Sequence, residues 1–496
     1  MQKKYDFIII GGGVVGCMIA RFLSRYQGSI LLIEKEADIG MGATSANSAI
    51  VHPGYDPLPG SLKAQMNVRG NAMYSQLAEE LHFGFDRCGD FVVAVGDGEL
   101  PKLELLLEQG RRSGVPELSL ISGEEMRRRE LAVNPQVSGA LWAATGGVCD
   151  PFQVCVAAGE NAVMNGAEVL LSCAFENFIF DGKRIVGVNT SRGDFGCRWA
   201  INAAGLYADA VMHKAGVRPD FFITPRKGEY FVFDRAALSL KHILFPVPTE
   251  KGKGILVTAT VHENAIAGPN ANAVESKEDT ASTQAGLDEI WSGAQKLVPN
   301  LQIRSVIATF VGLRATGNAP SRDKSLAYHN DFLIEIPKEV QGLVNLGGIE
   351  SPGLTSAPAI AEEVVCLLKE AGETLQEKKN WNPIRPARPR FTHLSYKERQ
   401  ALVAKDSRFG RVICRCENVT EGEILAEIHA PIPARTYDAI KRRTWLGTGR
   451  CQGGFDMTRV VEILARELQM PITGVSKRGS GSEFLYRETK KSEADA

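Results

Sequence analysis

The run Asp6-Phe7-Ile8-Ile9-Ile10, followed at once by Gly11-Gly12-Gly13-Val14-Val15-Gly16, leaves the start of this chain few ways to fold. A short β-branched apolar run predicts a buried strand, and G-x-G-x-x-G directly behind it predicts a tight turn that opens a helix. Val15, Met18, Ile19, Phe22, Leu23 and Tyr26 recur at helical spacing and form one apolar face. A second strand, 29–33, ends at Glu34. Gly11 permits the turn, Gly13 lets backbone approach a pyrophosphate, and Gly16 lets helix and strand pack closely. The helix N-terminus offers free N–H groups to phosphate. Glu34 is placed to accept hydrogen bonds from a ribose, and its charge repels a 2′-phosphate. Strand, glycines, helix, strand and acid within about 30 residues specify a dinucleotide site.

The rest of the chain has room for much more. At 496 residues it spans two to four domains of about 100 to 200 residues. Its 57 basic and 58 acidic residues give a net charge of -1, so no overall field draws it to nucleic acid or anionic lipid. With 44% hydrophobic and 23% charged residues the composition is that of a globular protein. The longest apolar stretch, 7–20, is broken by glycines and falls short of the roughly 20 residues a membrane span needs. Met1-Gln2-Lys3-Lys4 resembles the start of a signal peptide, but Asp6 and the glycines interrupt the apolar region, so a cytoplasmic protein is expected. Seven of the ten cysteines are scattered singly and read as buried small hydrophobes in a reducing compartment.

Apolar β-type runs alternate with helical periodicity over 1–375, predicting an α/β fold with helices covering a sheet. Pro383, Pro386 and Pro389 make 376–398 an extended linker. A second block, 399–480, holds Cys414, Cys416 and Cys451, and 481–496 is a polar tail expected to be loose.

Beyond the fingerprint lie the small polar loop Gly40–Gly54, then Trp199-Ala200-Ile201-Asn202-Ala203-Ala204-Gly205, and finally Asn345–Thr355 with Gly347, Gly348 and Ser351-Pro352-Gly353-Leu354-Thr355. In that order they resemble the FAD-dependent oxidoreductases of the D-amino-acid oxidase type. Within that family the chain is similar to the glycerol-3-phosphate dehydrogenases and, through Pro59–Ala64, Arg226–Tyr230 and Gly268–Ala271, to the L-2-hydroxyglutarate dehydrogenases. The resemblance implies a Rossmann-like flavin domain interleaved with an α+β substrate domain, roughly 80–150 and 215–330. It implies that Thr44, Ser45, Asn47 and Ser48 line the flavin, that Ala174, Ala204, Gly205 and Gly347 adjoin it, and that Gly353, Leu354 and Thr355 bring backbone to its pyrimidine end.

Oxidising a secondary alcohol on flavin requires a base within reach of the hydroxyl. His52, directly after the flavin loop, is the first candidate, because an imidazole titrates near pH 6.5. Tyr230 stands where the glycerol-3-phosphate enzymes place a histidine, and His262 is a third choice. Arg314 matches an anion-binding arginine of these families, and Arg322 resembles a second one pointed at phosphate. A guanidinium fork can hold a carboxylate or phosphate through two hydrogen bonds. Against phosphate, Gly347-Gly348-Ile349 lacks the lysine those enzymes carry after the glycine pair.

Cys414-Arg415-Cys416 and Cys451 within Gly449–Asp456 resemble the bacterioferritin-associated-ferredoxin-type [2Fe–2S] domain at the C-terminus of anaerobic glycerol-3-phosphate dehydrogenases. That family ends in C-x4-C, whereas the last position here is Asp456. Either Asp456 is an oxygen ligand to iron, or the cluster is lost and zinc or nothing replaces it. Arg435, Lys441, Arg442, Arg443 and Arg450 form a basic cluster read as a solvated face, or else as a dock for an acidic redox partner or a counter-charge to the cluster.

The expected function is a flavoprotein dehydrogenase of a small anionic hydroxy compound, first glycerol 3-phosphate. A 2-hydroxy acid such as L-2-hydroxyglutarate, an amine or an opine is the alternative substrate. The expected electron acceptor is a redox protein or quinone-linked subunit. The reading from another class is an iron-sensing or assembly module on an idle flavin scaffold.

Overall fold

Four consecutive apolar residues, Ile30–Ile33, are all buried, which a strand can be only when both its faces are covered. In the computed structural model, which describes residues 3–248, 254–321 and 330–487, this strand pairs in parallel with Lys4–Ile10 and with Glu168–Leu170. Lys4–Ile10 pairs in parallel with Gly193–Asn202, whose last residues carry Leu343–Gly347 in parallel. Val14–Leu23, Pro151–Met164 and Gly353–Glu370 pack on one face around Met18, Ile19, Val154 and Ile360. The short helix Ala208–Lys214 buries Met212 on the other. The first helix stops at Leu23, three residues before the end of its predicted apolar face. The Ser24 hydroxyl donates to the Arg21 carbonyl, and Tyr26 stays buried by bridging to Glu377.

A second, mostly antiparallel sheet draws on two separate stretches of chain. Asp90–Val95, Leu118–Ser122 and Val137–Ala143 come from the first, and Ile223–Phe233 through Val306–Gly317 from the second. The parallel pairing of Asp90–Val95 with Ile243–Pro246 joins them. Its longest ribbon places Arg226 opposite Arg314, Gly228 opposite Gly312 and Tyr230 opposite Phe310. Residues two apart on a strand share a face, so these six lie on one side.

The proline-rich connector is strapped to the flavin domain. Arg385 is buried and donates to Glu160 at 2.7 Å; Arg388 reaches both Glu160 and Glu427. After the helix Tyr396–Lys405, started by a Ser395/Glu398 capping box, a small unit packs Glu421–Ile428, Tyr437–Thr444 and Met457–Glu467 around Ile424, Ile440, Leu446 and Leu464. The first residues of the polar tail fold back rather than hang loose: Phe484 donates its N–H to the Val475 carbonyl and packs on Tyr437.

The basic cluster divides: Arg435 and Arg450 are exposed, as a solvated face requires, whereas Arg442 and Arg443 are taken up at a domain junction. Arg443 is fully buried and grips both oxygens of Asp38 at 2.6 and 2.7 Å. Arg442 adds a bond to Asp38 at 2.8 Å, and Arg450 pairs with Asp234. These arginines dock the small unit onto the two larger domains. The single cysteines also divide: Cys17, Cys149, Cys155 and Cys173 are buried as expected, whereas Cys366 is exposed. No helix among the described residues is long and apolar enough to cross a membrane.

Candidate active site and cysteine site

Between the two sheets lies a cavity of about 1700 Å³ lined by Gly11, Gly13, Glu34, the 41–50 loop, Tyr230 and Arg314. Ordinary small-molecule pockets hold about 300–1,000 Å³, so this one has space for an extended dinucleotide and a small second molecule. Gly11 has φ +110°, and a Cβ there would stand 2.5 Å from the Ala203 carbonyl oxygen. A Cβ on Gly16 would stand 2.0 Å from the Gly11 carbonyl oxygen; Gly16 therefore serves packing and does not line the cavity. The helix behind the turn has no side-chain cap at Gly13, and Val14 N–H donates to Thr44 Oγ1 at 3.0 Å.

Glu34 accepts from Gly12 N–H at 2.6 Å and from Glu36 N–H at 2.9 Å. Burial pushes its carboxyl above the usual range, and those two N–H groups partly offset the shift. They also hold the carboxylate at the cavity wall where a ribose would lie. We expect Glu34→Ala to weaken FAD binding about tenfold, the worth of one lost charge-assisted hydrogen-bond partner; titration of the apoprotein with FAD, followed by flavin fluorescence, measures it.

The 44–48 loop is held by its own side chains. Ser45 Oγ donates to the Met41 and Gly42 carbonyls, and Asn47 donates to the Thr44 carbonyl and accepts from Ala49 N–H at 2.8 Å. Thr44, Ser45, Asn47 and Ser48 all border the cavity, as do Ala174, Ala204, Gly205, Gly347, Gly353 and Leu354. The Gly353–Glu370 helix points an N-terminus without a side-chain cap at the same space. Thr355 is different: its buried hydroxyl accepts from His52 N–H at 2.9 Å and donates to the Ile50 carbonyl at 3.3 Å. Its side chain positions His52 and does not line the cavity. Two helix N-termini without an N-cap side chain, a fixed acid and a cavity of this volume fit FAD.

The other residues of interest gather beside that loop. A Cβ on Gly312 would stand 2.0 Å from the Ala46 carbonyl oxygen, which shows how closely the ribbon seats on it. Tyr230 stacks on Phe310 at 4.4 Å and 8°, with its hydroxyl against Ser48 and Arg314. Burial pushes the phenol's pKa up, and the Arg314 charge only partly counters it. Tyr230 is therefore neutral at pH 7. Arg314 Nη2 donates to the Asn270 carbonyl at 3.2 Å. His52 borders the cavity with its ring 5.9 Å from that of Phe245, and its carbonyl accepts from Asn67 and Asn71. Arg322 lies outside the described residues.

Arg226 was missed as a site residue although it stands in the cavity wall, in register with Arg314. Strand alternation back from Tyr230 through Gly228 reaches it directly. A second missed feature is the ion pair Lys63–Glu350, 2.7 Å, with Glu350 also accepting from Thr316 at 2.6 Å. It brings a lysine to the segment after the glycine pair from a different helix. His262, the third base candidate, also borders the cavity, but its ring is engaged. Its Nε2 lies 3.2 Å from Asp150 Oδ2, which also accepts from Trp445 Nε1 at 2.8 Å, and its ring packs on Trp445 at 3.9 Å. Those three groups join both large domains to the small unit.

In the small unit the glycine loop wraps the cysteines. Gly447 N–H donates to Cys414 Sγ at 3.5 Å, and a Cβ on Gly449 would lie 2.5 Å from Cys416 Cβ. Cys416 touches Cys451, whose backbone N–H also points at the Cys416 sulfur; Cys414 touches Asp456. Among the described residues no three His, Cys, Asp or Glu side chains converge on a single point. Backbone N–H groups aimed at sulfur, on a loop able to approach only through its glycines, fit an iron–sulfur cluster.

Comparison with known proteins agrees with this geometry. Residues 6–367 match the family described as FAD dependent oxidoreductase, and residues 412–466 match the BFD-like [2Fe-2S] binding domain. A glycerol 3-phosphate dehydrogenase of Caloramator mitchellensis is 43% identical over 98% of this chain and 99% of its own length. The human mitochondrial L-2-hydroxyglutarate dehydrogenase is 28% identical, covering 72% of this chain and 87% of its own. Among solved structures, the dithionite-reduced L-alpha-glycerophosphate oxidase of Mycoplasma pneumoniae with FAD bound superimposes with a TM-score of 0.72 at 30% identity, covering 78% of this chain and all of that one.

Proposed function

We propose, since the chain belongs to the FAD dependent oxidoreductase family, that it is a cytoplasmic dehydrogenase oxidising glycerol 3-phosphate to dihydroxyacetone phosphate. The observation that carries this reading is the guanidinium pair Arg226 and Arg314, in register on one ribbon face beside the flavin loop. Two guanidinium groups suit a dianion, and the relative that matches nearly end to end is a glycerol 3-phosphate dehydrogenase.

FAD supplies the hydride acceptor when bound. Arg314 and Arg226 hold the phosphate and so fix the carbinol carbon against the ring. His52, positioned through its backbone by Thr355, Asn67 and Asn71, takes the hydroxyl proton. Tyr230 donates a hydrogen bond from the neutral phenol. His262 serves the domain junction rather than proton transfer. The small unit borders the same cavity through Arg442 and Trp445, and the terminal acceptor is a separate redox protein or a quinone-linked subunit.

Anaerobic mixing of the purified protein with glycerol 3-phosphate should bleach the flavin absorption, while L-2-hydroxyglutarate leaves it unchanged. Bleaching by 2-hydroxyglutarate alone would transfer the assignment to the hydroxy-acid dehydrogenases. An oxidised flavin with both compounds would favour an idle scaffold.

A further inference from the structure

We propose that Asp456 is a carboxylate ligand of a two-iron cluster, sharing one iron with Cys414, while Cys416 and Cys451 hold the other. The proposal is independent of the substrate assignment. Three observations on Asp456 converge. Its side chain is fully buried, and Oδ2 has no hydrogen-bond partner, a costly state for a carboxylate oxygen. It occupies the N-cap position of Met457–Glu467, where aspartate is among the preferred capping residues, yet it makes no capping bond. It turns inward instead, against Cys414, with Oδ1 fixed by the Tyr437 hydroxyl at 2.8 Å.

The surroundings are shaped to keep it there. A Cβ on either Gly447 or Gly453 would lie 2.5 Å from the Tyr437 hydroxyl, and both glycines have positive φ, +73° and +88°. Tyr437 orients the carboxylate as outer groups commonly orient metal ligands. It leaves Oδ2 as the oxygen without a partner.

The four groups come as two touching pairs, Cys414 with Asp456 and Cys416 with Cys451, and no three of them converge. Tetrahedral zinc needs all four donors around one point. A [2Fe–2S] centre needs two protein donors at each of two irons, and two pairs of donors match that count. A hard oxygen at one end and two sulfurs at the other make the irons inequivalent.

The test uses the full-length protein purified anaerobically, with iron, zinc, acid-labile sulfide and flavin measured per chain and the reduced protein examined by electron paramagnetic resonance. Wild type should carry about two irons and two sulfides. Asp456→Ala should lose at least half its iron at unchanged flavin content. Asp456→Cys should keep its iron but shift the g values of the reduced signal. Should the alanine variant fail to fold, shown by lost flavin, the comparison of wild type with Asp456→Cys decides alone. The proposal is overturned if wild type holds zinc, or if it stays iron-free after reconstitution with ferrous iron and sulfide. It is also overturned if Asp456→Cys gives the wild-type signal, or if Asp456→Ala folds with full iron.

Discussion

Arg314→Ala is expected to lower kcat/KM for glycerol 3-phosphate by about 10²–10³-fold, with flavin content unchanged. Truncating one partner of a desolvated, hydrogen-bonded charge pair costs about 2–5 kcal/mol, and each 1.4 kcal/mol is a factor of ten in rate or affinity. Arg314 is half-buried in the cavity wall with one N–H already held by the Asn270 carbonyl, so its orientation is set before an anion arrives. Arg314→Lys keeps the charge but loses the planar fork, and should recover only part of the loss. Arg226, opposite on the ribbon, shares the same anion in this reading. The double variant should therefore lose less than the two single losses combined, the mark of groups acting on one partner. Glycerol, which lacks the phosphate, gives a control: its slow oxidation should be nearly indifferent to Arg314→Ala. If kcat/KM for glycerol 3-phosphate stays within twofold of wild type, phosphate recognition lies elsewhere.

What the residues disclosed in advance follows the range of the physics involved. The Gly11–Gly16 turn, its helix and Glu34 were legible because strand, turn and helix period are local patterns within about 30 residues. The same locality explains the small error at Tyr26, whose side chain remains apolar and buried after the helix has ended. Arg226 could have been found by counting back from Tyr230 in steps of two. Its pairing with Arg314 could not, because the 87 residues between them leave antiparallel register open until both strands meet. The composite sheet was likewise visible only as a family likeness, since no local period announces that Ile243–Pro246 will lie beside Asp90–Val95. Within the basic cluster, Arg442 and Arg443 were misread for a related reason. A run such as Lys441-Arg442-Arg443 looks solvated when its counter-charge, Asp38, stands some 400 residues earlier. Cys414, Cys416 and Cys451 were recognisable by type and spacing, but their division into two pairs is a property of the folded glycine loop.

The second large effect concerns that hidden counter-charge. Arg443 is among the largest fully buried side chains of the protein, and it meets Asp38 through both oxygens across the junction of the small unit with the flavin domain. Removing one member of such a pair leaves a buried charge without its main partner, at a cost of about 3–5 kcal/mol. Arg443→Ala should therefore lower the urea midpoint for release of the small unit and expose the Tyr396–Lys405 region to proteases. Burial by itself raises the Asp38 carboxyl, but the nearby Arg443 and then Arg442 override it and hold the group below the usual carboxylate range. A depressed carboxyl stabilises the folded state fully above its unfolded pKa of about 3.9, and that contribution is lost as pH falls through the folded value. In Arg443→Ala the desolvation remains while the strongest counter-charge is gone, so Asp38 binds its proton more readily and the sign of its contribution reverses. The stability gap between wild type and variant should be widest near pH 7 and shrink toward pH 4, where protonation removes a buried charge that only Arg442 still faces. Replacing both partners, Asp38→Leu with Arg443→Met, removes both desolvated charges together and should recover most of the loss. A gap that does not change between pH 4 and pH 7 would mean that the other contacts of Arg443, whose carbonyl accepts from Gln153 Nε2 at 2.7 Å and whose Nη2 donates to the Ile432 carbonyl at 3.5 Å, hold the two parts together rather than this ion pair.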